Sequence, residues 1–208
     1  MNAMNAPLTE ASLHHAIAEL AQRDVDLAQS VERHGPPPLW AREPGFATLV
    51  LLILEQQVSL ASARAAFNRL EAAIGVVTPA GVLALSDAEL RAVGFSRQKS
   101  GYARALATAI QSGAFDPDHL ADQDDDGVRA ALTALKGIGP WTAEIYLLMA
   151  LRRPDAWPVG DLALAIAAQQ VKRLAQRPTP ADLLALAEIW RPWRAVAARL
   201  LWRHYLSR

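Results

Sequence analysis

The chain has 208 residues, of which 52% are apolar and 20% are charged, and its formal net charge is zero. This length is enough for one large domain or two small lobes with a sizeable core. The sequence contains no cysteine, which excludes disulfides, a thiolate zinc site and a cysteine-ligated iron–sulfur cluster.

The N-terminal residues show no positively charged region followed by an apolar stretch, which indicates that a signal peptide is absent. The longest apolar run, Phe46 to Leu54, is interrupted only by Thr48 and falls far short of the roughly 20 residues that cross a bilayer. The run is apolar on all sides, so it predicts a central, buried helix. These features together predict a soluble, cytoplasmic protein without a membrane partner.

The charges are unevenly distributed along the chain. Residues 151–208 contain ten Lys or Arg and four Asp or Glu, a net charge of +6, so residues 1–150 carry −6. Four aspartates cluster in the acidic part: Asp122, Asp124, Asp125 and Asp126. This asymmetry permits a basic surface on a neutral protein. A chance distribution of solvated charges is the simpler interpretation of the same numbers.

Taken in chain order, helical signals are dense, and only the pair Val76-Val77 resembles a strand. A connector from His34 to Pro44 contains four prolines and is predicted to be extended. We predict about ten helices joined by short loops, some only a turn or two long. Their spans are 8–23, 24–34, 44–57, 59–74, 79–85, 87–93, 96–112, 125–135, 141–152, 161–174, 180–190 and 192–206.

Local residue patterns mark the ends of these helices. Three starts combine an N-cap residue with proline at the first helical position: Thr78-Pro79, Asp116-Pro117 and Thr179-Pro180. One start has the spacing of a capping box, Ser86 with Glu89. Three glycines stand where helices should stop: Gly75, Gly94 and Gly113.

The segment Leu135–Glu144, LKGIGPWTAE, predicts a tight turn between two helices. Gly137 and Gly139 permit positive φ and close approach of the backbone to a ligand. The amides of such a turn, with the start of the next helix, can bind a phosphate. A helix–hairpin–helix motif grips the DNA backbone in this way without reading sequence. A glycine-rich corner without a ligand is the alternative.

A second short motif, Pro158-Val-Gly-Asp161, places Asp161 at the start of a helix that begins at Leu162. Taken alone, such an aspartate is an ordinary N-cap. Combined with the hairpin at this spacing, it resembles the helix–hairpin–helix DNA glycosylase superfamily, and within it the AlkA type, 3-methyladenine DNA glycosylase II. The resemblance covers roughly residues 40–206, and the matching segments are Glu55–Ser59, Gly137–Ala143, Asp161, Arg191–Arg194 and Leu201–Arg203.

The resemblance implies an all-α fold of two helical lobes with a helix–hairpin–helix motif and an active-site cleft between the lobes. Residues 46–150 would form one lobe that ends in the hairpin, and residues 1–45 with 151–208 would form the other. The chain is too short for the N-terminal β-domain of larger relatives, so it resembles a compact form.

The resemblance also implies the residues that handle the base. Asp161 would be the catalytic carboxylate, and Trp141 and Trp202 would line the pocket for the extruded base, with Gln56 and Tyr146 beside them. Ordinary core packing is the alternative for each tryptophan. The family shows a tyrosine four residues after the position of Trp141, where this chain has Ile145. Tyr146 is one residue further along and is therefore turned by about 100°.

Residues that would contact the DNA backbone follow from the same comparison: Lys136, Gly137, Ile138, Gly139 and Thr142. Gln56 and Gln57 fall where the family fills the gap left by the extruded base, a role in which an apolar wedge is common. The backbone carbonyls of Thr133, Leu135 and Ile138 would hold a monovalent cation, Na⁺ or K⁺, in the hairpin. No other cofactor is expected, and the five histidines form no metal-binding pattern.

These features predict a monofunctional glycosylase that excises alkylated bases such as 3-methyladenine and 7-methylguanine from damaged double-stranded DNA. Members that also cut the strand use a lysine two residues after the second hairpin glycine, where this chain has Trp141. The expected protein is a nucleoid-associated monomer. Alternatives are a DNA-binding module that keeps the fold without activity, a glycosylase for other damaged bases, and an unrelated helical protein.

Overall fold

A computed structural model describes residues 6–207, so the predictions that fall on residues 1–5 and 208 lie outside the described part. The described residues form twelve α-helices: α1 Glu10–Arg23, α2 Val25–His34, α3 Phe46–Glu55, α4 Leu60–Ile74, α5 Pro79–Ala84, α6 Asp87–Ala92, α7 Arg97–Gln111, α8 Asp125–Thr133, α9 Pro140–Met149, α10 Leu162–Val171, α11 Pro180–Ala187 and α12 Arg194–Leu206. Short 3₁₀ helices occupy Pro117–Asp122 and Glu188–Trp190. No strand occurs within residues 6–207, which confirms the all-α prediction. No helix in this range is long and apolar enough to cross a membrane.

The predicted helix ends are confirmed by their hydrogen bonds. Thr78 Oγ1 accepts the amide of Gly81 at 3.1 Å, and both halves of the capping box between Ser86 and Glu89 are present. Thr179 forms a second capping box with Asp182. Each cap satisfies amides that the first turn of a helix leaves without a partner. The sequence pattern missed only the helical character of Pro117–Asp122, although it did indicate a start at Asp116.

The chain divides into two compact units, which we call the terminal unit, up to Ala41 and from Leu147, and the central unit, Arg42–Tyr146. The lobes predicted from the sequence change over at residues 45/46 and 150/151, four residues later at each boundary. The connector after α2 has no regular secondary structure, as its prolines predict.

The terminal unit is built around α12, which packs against α1, α2 and α10. Every residue of α12 from Arg194 to Trp202 is buried. Asp24, at 3% exposure, caps α2 and accepts hydrogen bonds from Lys172 Nζ at 2.9 Å and Trp190 Nε1 at 2.8 Å. The buried carboxylate is therefore paired with a cation and a neutral donor, as burial of a charge requires.

Arg199 on α12 is completely buried and hydrogen-bonds three backbone carbonyls. Its guanidinium donates to Leu39 O at 2.9 Å, Ala195 O at 2.9 Å and Leu148 O at 2.7 Å. Burial lowers the pKa of this side chain to about 10. The planar, forked guanidinium can reach three acceptors at once, which a lysine ammonium on its flexible stem does less well.

The central unit is built around α3, which packs against α4 and α7. Eight of its ten residues are buried, including the terminal Glu55, which confirms the prediction of a central, buried helix. Glu55 forms a two-pronged ion pair with Arg42, with both N–O distances at 2.9 Å. At the end of the same helix, Lys99 Nζ donates to Leu54 O at 2.7 Å, and burial lowers the pKa of that lysine.

Candidate active site

The predicted hairpin is a six-residue connection between α8 and α9 in the central unit. Gly137 adopts φ +90°, and the amide of Ile138 donates to Leu135 O at 3.1 Å, which closes the turn. The carbonyl of Gly139 accepts the amide of Ala143 at 3.0 Å and so opens α9. Lys136 is exposed and Ile138 is buried. The turn is thus anchored by an apolar side chain beside an exposed cation.

Position 137 requires glycine because of a packing contact that the sequence pattern of the turn does not predict. A Cβ atom added at this position would lie 2.1 Å from Cγ of Tyr102, on α7 of the same unit. The aromatic ring therefore packs directly over the glycine, and its hydroxyl accepts a hydrogen bond from Gln98 at 2.7 Å. Nothing lies within 4 Å of a Cβ added at Gly139. The two glycines of one motif thus have different roles in the fold.

This difference gives a test with an internal control. Gly137→Ala should lower the free energy of unfolding by about 2 kcal/mol or more, because the methyl group meets a ring and the φ angle disfavours alanine. Gly139→Ala should leave stability within about 0.5 kcal/mol of the parent. It should weaken binding to undamaged duplexes by about tenfold, equally for all sequences, because a methyl group would stand between the amides and a phosphate.

Urea unfolding and duplex affinity measured at several salt concentrations would check both substitutions. The affinity of the parent protein should fall as salt rises, since phosphate contacts release counterions. A flat salt dependence, or a Gly139→Ala variant that binds DNA as the parent does, would contradict the assignment of the hairpin to phosphate.

Gln56 is hydrogen-bonded to the hairpin, and its predicted place in the base pocket stays a prediction. Its Nε2 donates to Gly137 O at 2.9 Å and to Thr142 Oγ1 at 3.2 Å. Thr142 is itself only 2% exposed. This burial is what contradicts the predicted DNA contact of Thr142, because its hydroxyl lies inside the central unit and accepts the Gln56 amide.

Gln57 is the exposed residue of the turn between α3 and α4. It adopts φ +58°, an unusual conformation for a residue other than glycine. Val58 and Leu60, which follow it, are 47% and 62% exposed. The turn therefore presents one amide side chain with apolar neighbours to solvent. The predicted role of Gln57 at the DNA gap fits this placement and stays a prediction.

Two aromatic residues of α9 have different environments in the central unit. Tyr146 is completely buried, and its hydroxyl accepts the amide of Gly45 at 2.9 Å. Burial raises the pKa of this hydroxyl. A side chain with no exposed surface offers no face to a base, so the pocket assignment of Tyr146 is corrected to a core role. Trp141 is half-buried near the start of α9, and its predicted contact with the base stays a prediction.

Asp161 is the N-cap of α10 in the terminal unit and is half-buried. Its Oδ1 accepts the amide of Leu164 at 2.9 Å and the indole N–H of Trp202 at 3.3 Å. Gly160, just before it, adopts φ +84°. The helix start and the indole both direct positive partial charge at one carboxylate oxygen. Asp161 and Trp202 thus lie side by side in the terminal unit, and their predicted roles with the base stay predictions.

Part of the positive charge of the C-terminal segment lies inside the protein. Arg153, Arg194 and Arg199 are buried, at 4%, 7% and 0% exposure. Lys172 forms ion pairs with Asp24 and Asp26, at 2.9 and 2.7 Å. The net charge of +6 in the sequence therefore does not translate into an equally basic surface. Sequence counts cannot separate a buried arginine from a solvated one.

The predicted cation ligands are backbone carbonyls, and they suit a monovalent ion chemically. Thr133 ends α8, Leu135 and Ile138 lie in the turn, and carbonyl oxygens coordinate such ions elsewhere. The Leu135 oxygen also accepts the Ile138 amide, and a carbonyl has a second lone pair for an ion. Within residues 6–207, no group of three or more His, Asp or Glu side chains could hold a metal ion.

The helical fold, with this hairpin and a capping aspartate beside an indole, is that of the base excision DNA-repair glycosylases. Residues 50–192 match the model of the HhH-GPD superfamily base excision DNA repair protein family, and the chain belongs to this family. It is 29% identical to DNA-3-methyladenine glycosylase 1 of Schizosaccharomyces pombe over 94% of this chain and 87% of that one. A Mycobacterium tuberculosis protein named as the bifunctional transcriptional activator/DNA repair enzyme AlkA is 34% identical, over 90% of this chain and 39% of its own.

The fold is similar to solved structures of the same family. The 3-methyladenine DNA glycosylase of Schizosaccharomyces pombe in complex with abasic DNA superposes with a TM-score of 0.83. The two chains are 29% identical, and the match covers 90% of this chain and 95% of the other.

Proposed function

We propose that this protein flips alkylated bases out of duplex DNA and hydrolyses their N-glycosidic bond, leaving an abasic site. The observation that carries the proposal is the Asp161 carboxylate, fixed at the start of α10 and hydrogen-bonded by Trp202. Relatives of the chain that are named as 3-methyladenine glycosylases support the choice of alkylated bases. The hairpin amides and Lys136 support duplex DNA as the partner.

The chemistry needs a base that is out of the stack and a sugar that can bear positive charge. Extrusion costs on the order of a few kcal/mol, and stacking of the base on aromatic side chains offsets part of this. The bond between C1′ and the base nitrogen breaks, the electron pair leaves with the base, and water adds to C1′ and releases a proton to solvent. An oxocarbenium-like transition state develops on the sugar, and a fixed carboxylate stabilises it.

Cationic bases suit this site for two reasons. A base such as 3-methyladenine or 7-methylguanine leaves as a neutral molecule, so it needs little acid assistance. The face of an indole attracts a cation by about 0.5–2 kcal/mol, and Trp202 lies against the proposed catalytic carboxylate. Asp161 then has one task, which is to stabilise the charge on the sugar while water attacks.

The proposed protein contacts to DNA are sequence-independent. The turn at Gly137–Gly139 and exposed Lys136 would bind phosphate, and Gln57 with its exposed apolar neighbours would occupy the gap. A monovalent cation on the carbonyls of Thr133, Leu135 and Ile138 would add a fixed positive charge beside the backbone. No further cofactor is required by this chemistry. We expect a monomer that acts at the cytoplasmic nucleoid.

The direct test is release of bases from methylated duplex DNA, resolved by base. We expect 3-methyladenine or 7-methylguanine in the soluble fraction and an intact abasic strand that breaks only after alkali or heat. If methylated purines stay in place while an oxidised or mismatched base is released, the substrate class is wrong. If no base is released although the duplex is bound, the protein is a DNA-binding module.

We also expect no strand cleavage by the protein itself, because strand cleavage by this fold needs an amine that forms a Schiff base. The chain has three lysines. Lys172 is paired with two aspartates, Lys99 donates to a helix end, and Lys136 lies in the hairpin before the glycines. Borohydride should trap no protein–DNA adduct during base release. A trapped adduct that disappears in Lys99→Ala or Lys136→Ala would identify the nucleophile and overturn this prediction.

A further inference from the structure

Trp40, in the proline-rich connector, lies beside Trp202 in the terminal unit. The rings of Trp40 and Trp202 are 6.5 Å apart between centroids and are inclined at 67°. Trp202 in turn donates to Asp161. Trp202 is only 8% exposed, whereas Trp40 is half-buried and keeps aromatic surface accessible. Trp202 therefore supports the Trp40 ring by an edge-to-face contact, and a planar base can stack on the part of Trp40 that stays exposed.

The backbone of Trp40 is held in a conformation that a bulky side chain disfavours. Its φ is +49°, in the left-handed region. Two arginines of α12 hold the connector before it: Arg199 Nε donates to Leu39 O at 2.9 Å, and Arg203 Nε donates to His34 O at 3.0 Å. Strain of this kind persists only where the surroundings hold it, and it concentrates at ligand sites.

A tryptophan that only fills the core looks different in this unit. Trp190 is completely covered, and its N–H donates to the buried Asp24. Trp40 is neither covered nor in a relaxed backbone conformation. The same helix, α12, carries Trp202 and fixes the connector that presents Trp40. The position of one ring relative to the other is therefore set by a single element.

We propose that Trp40 is a specificity-determining residue that contacts the extruded base, with its ring supported by Trp202. This inference rests on the proposed glycosylase function and names a residue that the sequence motifs do not include. The ligand it fits is a planar, cationic, alkylated purine, because the accessible π-face of Trp40 attracts positive charge. Loss of one such face should slow base release by about 3- to 30-fold.

The experiment compares Trp40→Leu with Trp40→Phe. Both replacements must adopt the same left-handed backbone conformation at position 40, but only phenylalanine keeps an aromatic face. With enzyme in excess, the rate of 7-methylguanine release should fall by about 3- to 30-fold in Trp40→Leu and recover most of its value in Trp40→Phe. Affinity for a duplex that carries a tetrahydrofuran abasic analogue should be unchanged in both, since that duplex has no base to contact.

Trp193→Leu is the matched control, because Trp193 is also half-buried in the terminal unit but donates to Glu19 instead. It should release 7-methylguanine at the parent rate. Equal rates for Trp40→Leu and the parent would overturn the inference while leaving the glycosylase function intact. Equal losses in the leucine and phenylalanine variants, or a parallel loss of abasic-duplex affinity, would overturn it too. A parent protein that releases no methylated purine would overturn the proposed function itself, and this inference with it.

Discussion

Asp161→Asn is expected to lower the single-turnover rate of base release by about 10²- to 10³-fold or more, while most of the duplex affinity remains. Asparagine has the same shape and is an equally good N-cap. Its amide oxygen can still accept the hydrogen bonds that Leu164 and Trp202 now donate to Oδ1. The substitution therefore removes the negative charge and little else. The charge is what the oxocarbenium-like sugar needs.

Rates with enzyme in excess, duplex affinity and urea unfolding should be measured on the same preparations. Asp182→Asn is a suitable control, because Asp182 belongs to an exposed capping box of α11 and should not affect base release. Near-normal activity in Asp161→Asn would remove Asp161 from the mechanism. A matching loss of duplex affinity would assign it to DNA binding instead of chemistry.

Arg199→Met should produce the largest loss of stability among the substitutions considered, about 3 kcal/mol. Burial that lowers the pKa of this side chain to about 10 corresponds to a penalty of about 3 kcal/mol for the charge. Three hydrogen bonds from a charged donor contribute about 1.5–3 kcal/mol each. The hydrogen bonds therefore outweigh the penalty. Methionine would fill much of the space but leave the three carbonyls without this donor.

Thermal unfolding would show the loss as a decrease of about 6–12 °C in the unfolding temperature of the protein. Arg177→Met, at an exposed position, should change stability by less than about 0.5 kcal/mol and controls for the loss of one charge. An Arg199→Met variant as stable as the parent would mean that desolvation of the guanidinium cancels its hydrogen bonds. Buried ion pairs in other proteins sometimes behave in that way.

Local patterns predicted the helices well because the signals that start and end a helix lie within it. Thr78 with Pro79, and Ser86 with Glu89, specify helix starts within four residues. Gly75 ends α4 with φ +72° for the same kind of reason. The family resemblance then supplied the hairpin and Asp161, since both are defined by short segments. The part of the site that depends on neighbours along the chain was therefore accessible from the sequence.

Contacts between segments that are distant along the chain could not be predicted from the sequence. Tyr102 packs over Gly137 from another helix, and Gln56 reaches Gly137 across 81 positions of the chain. Tyr146 shows how much one position matters, because a shift of one residue along a helix rotates the side chain by about 100°. At its position in α9 the side chain lies in the core. Trp40 carries no motif at all. Its significance depends on its backbone angle and on its distance to Trp202, and neither can be read from residue types.

The bond from Gln56 to the hairpin has a mechanical consequence. Gln56 directly precedes Gln57, and its amide ties that turn to the carbonyl of Gly137. In the proposed complex, the turn at Gln57 contacts the base stack while the hairpin at Gly137–Gly139 binds the phosphate backbone. The hydrogen bond fixes the distance between the Gln57 turn and the hairpin, so Gln57 would reach the same depth into the duplex at every base-pair step. A lesion would then be detected as a step at which the base stack is weak enough for Gln57 to enter at that fixed depth.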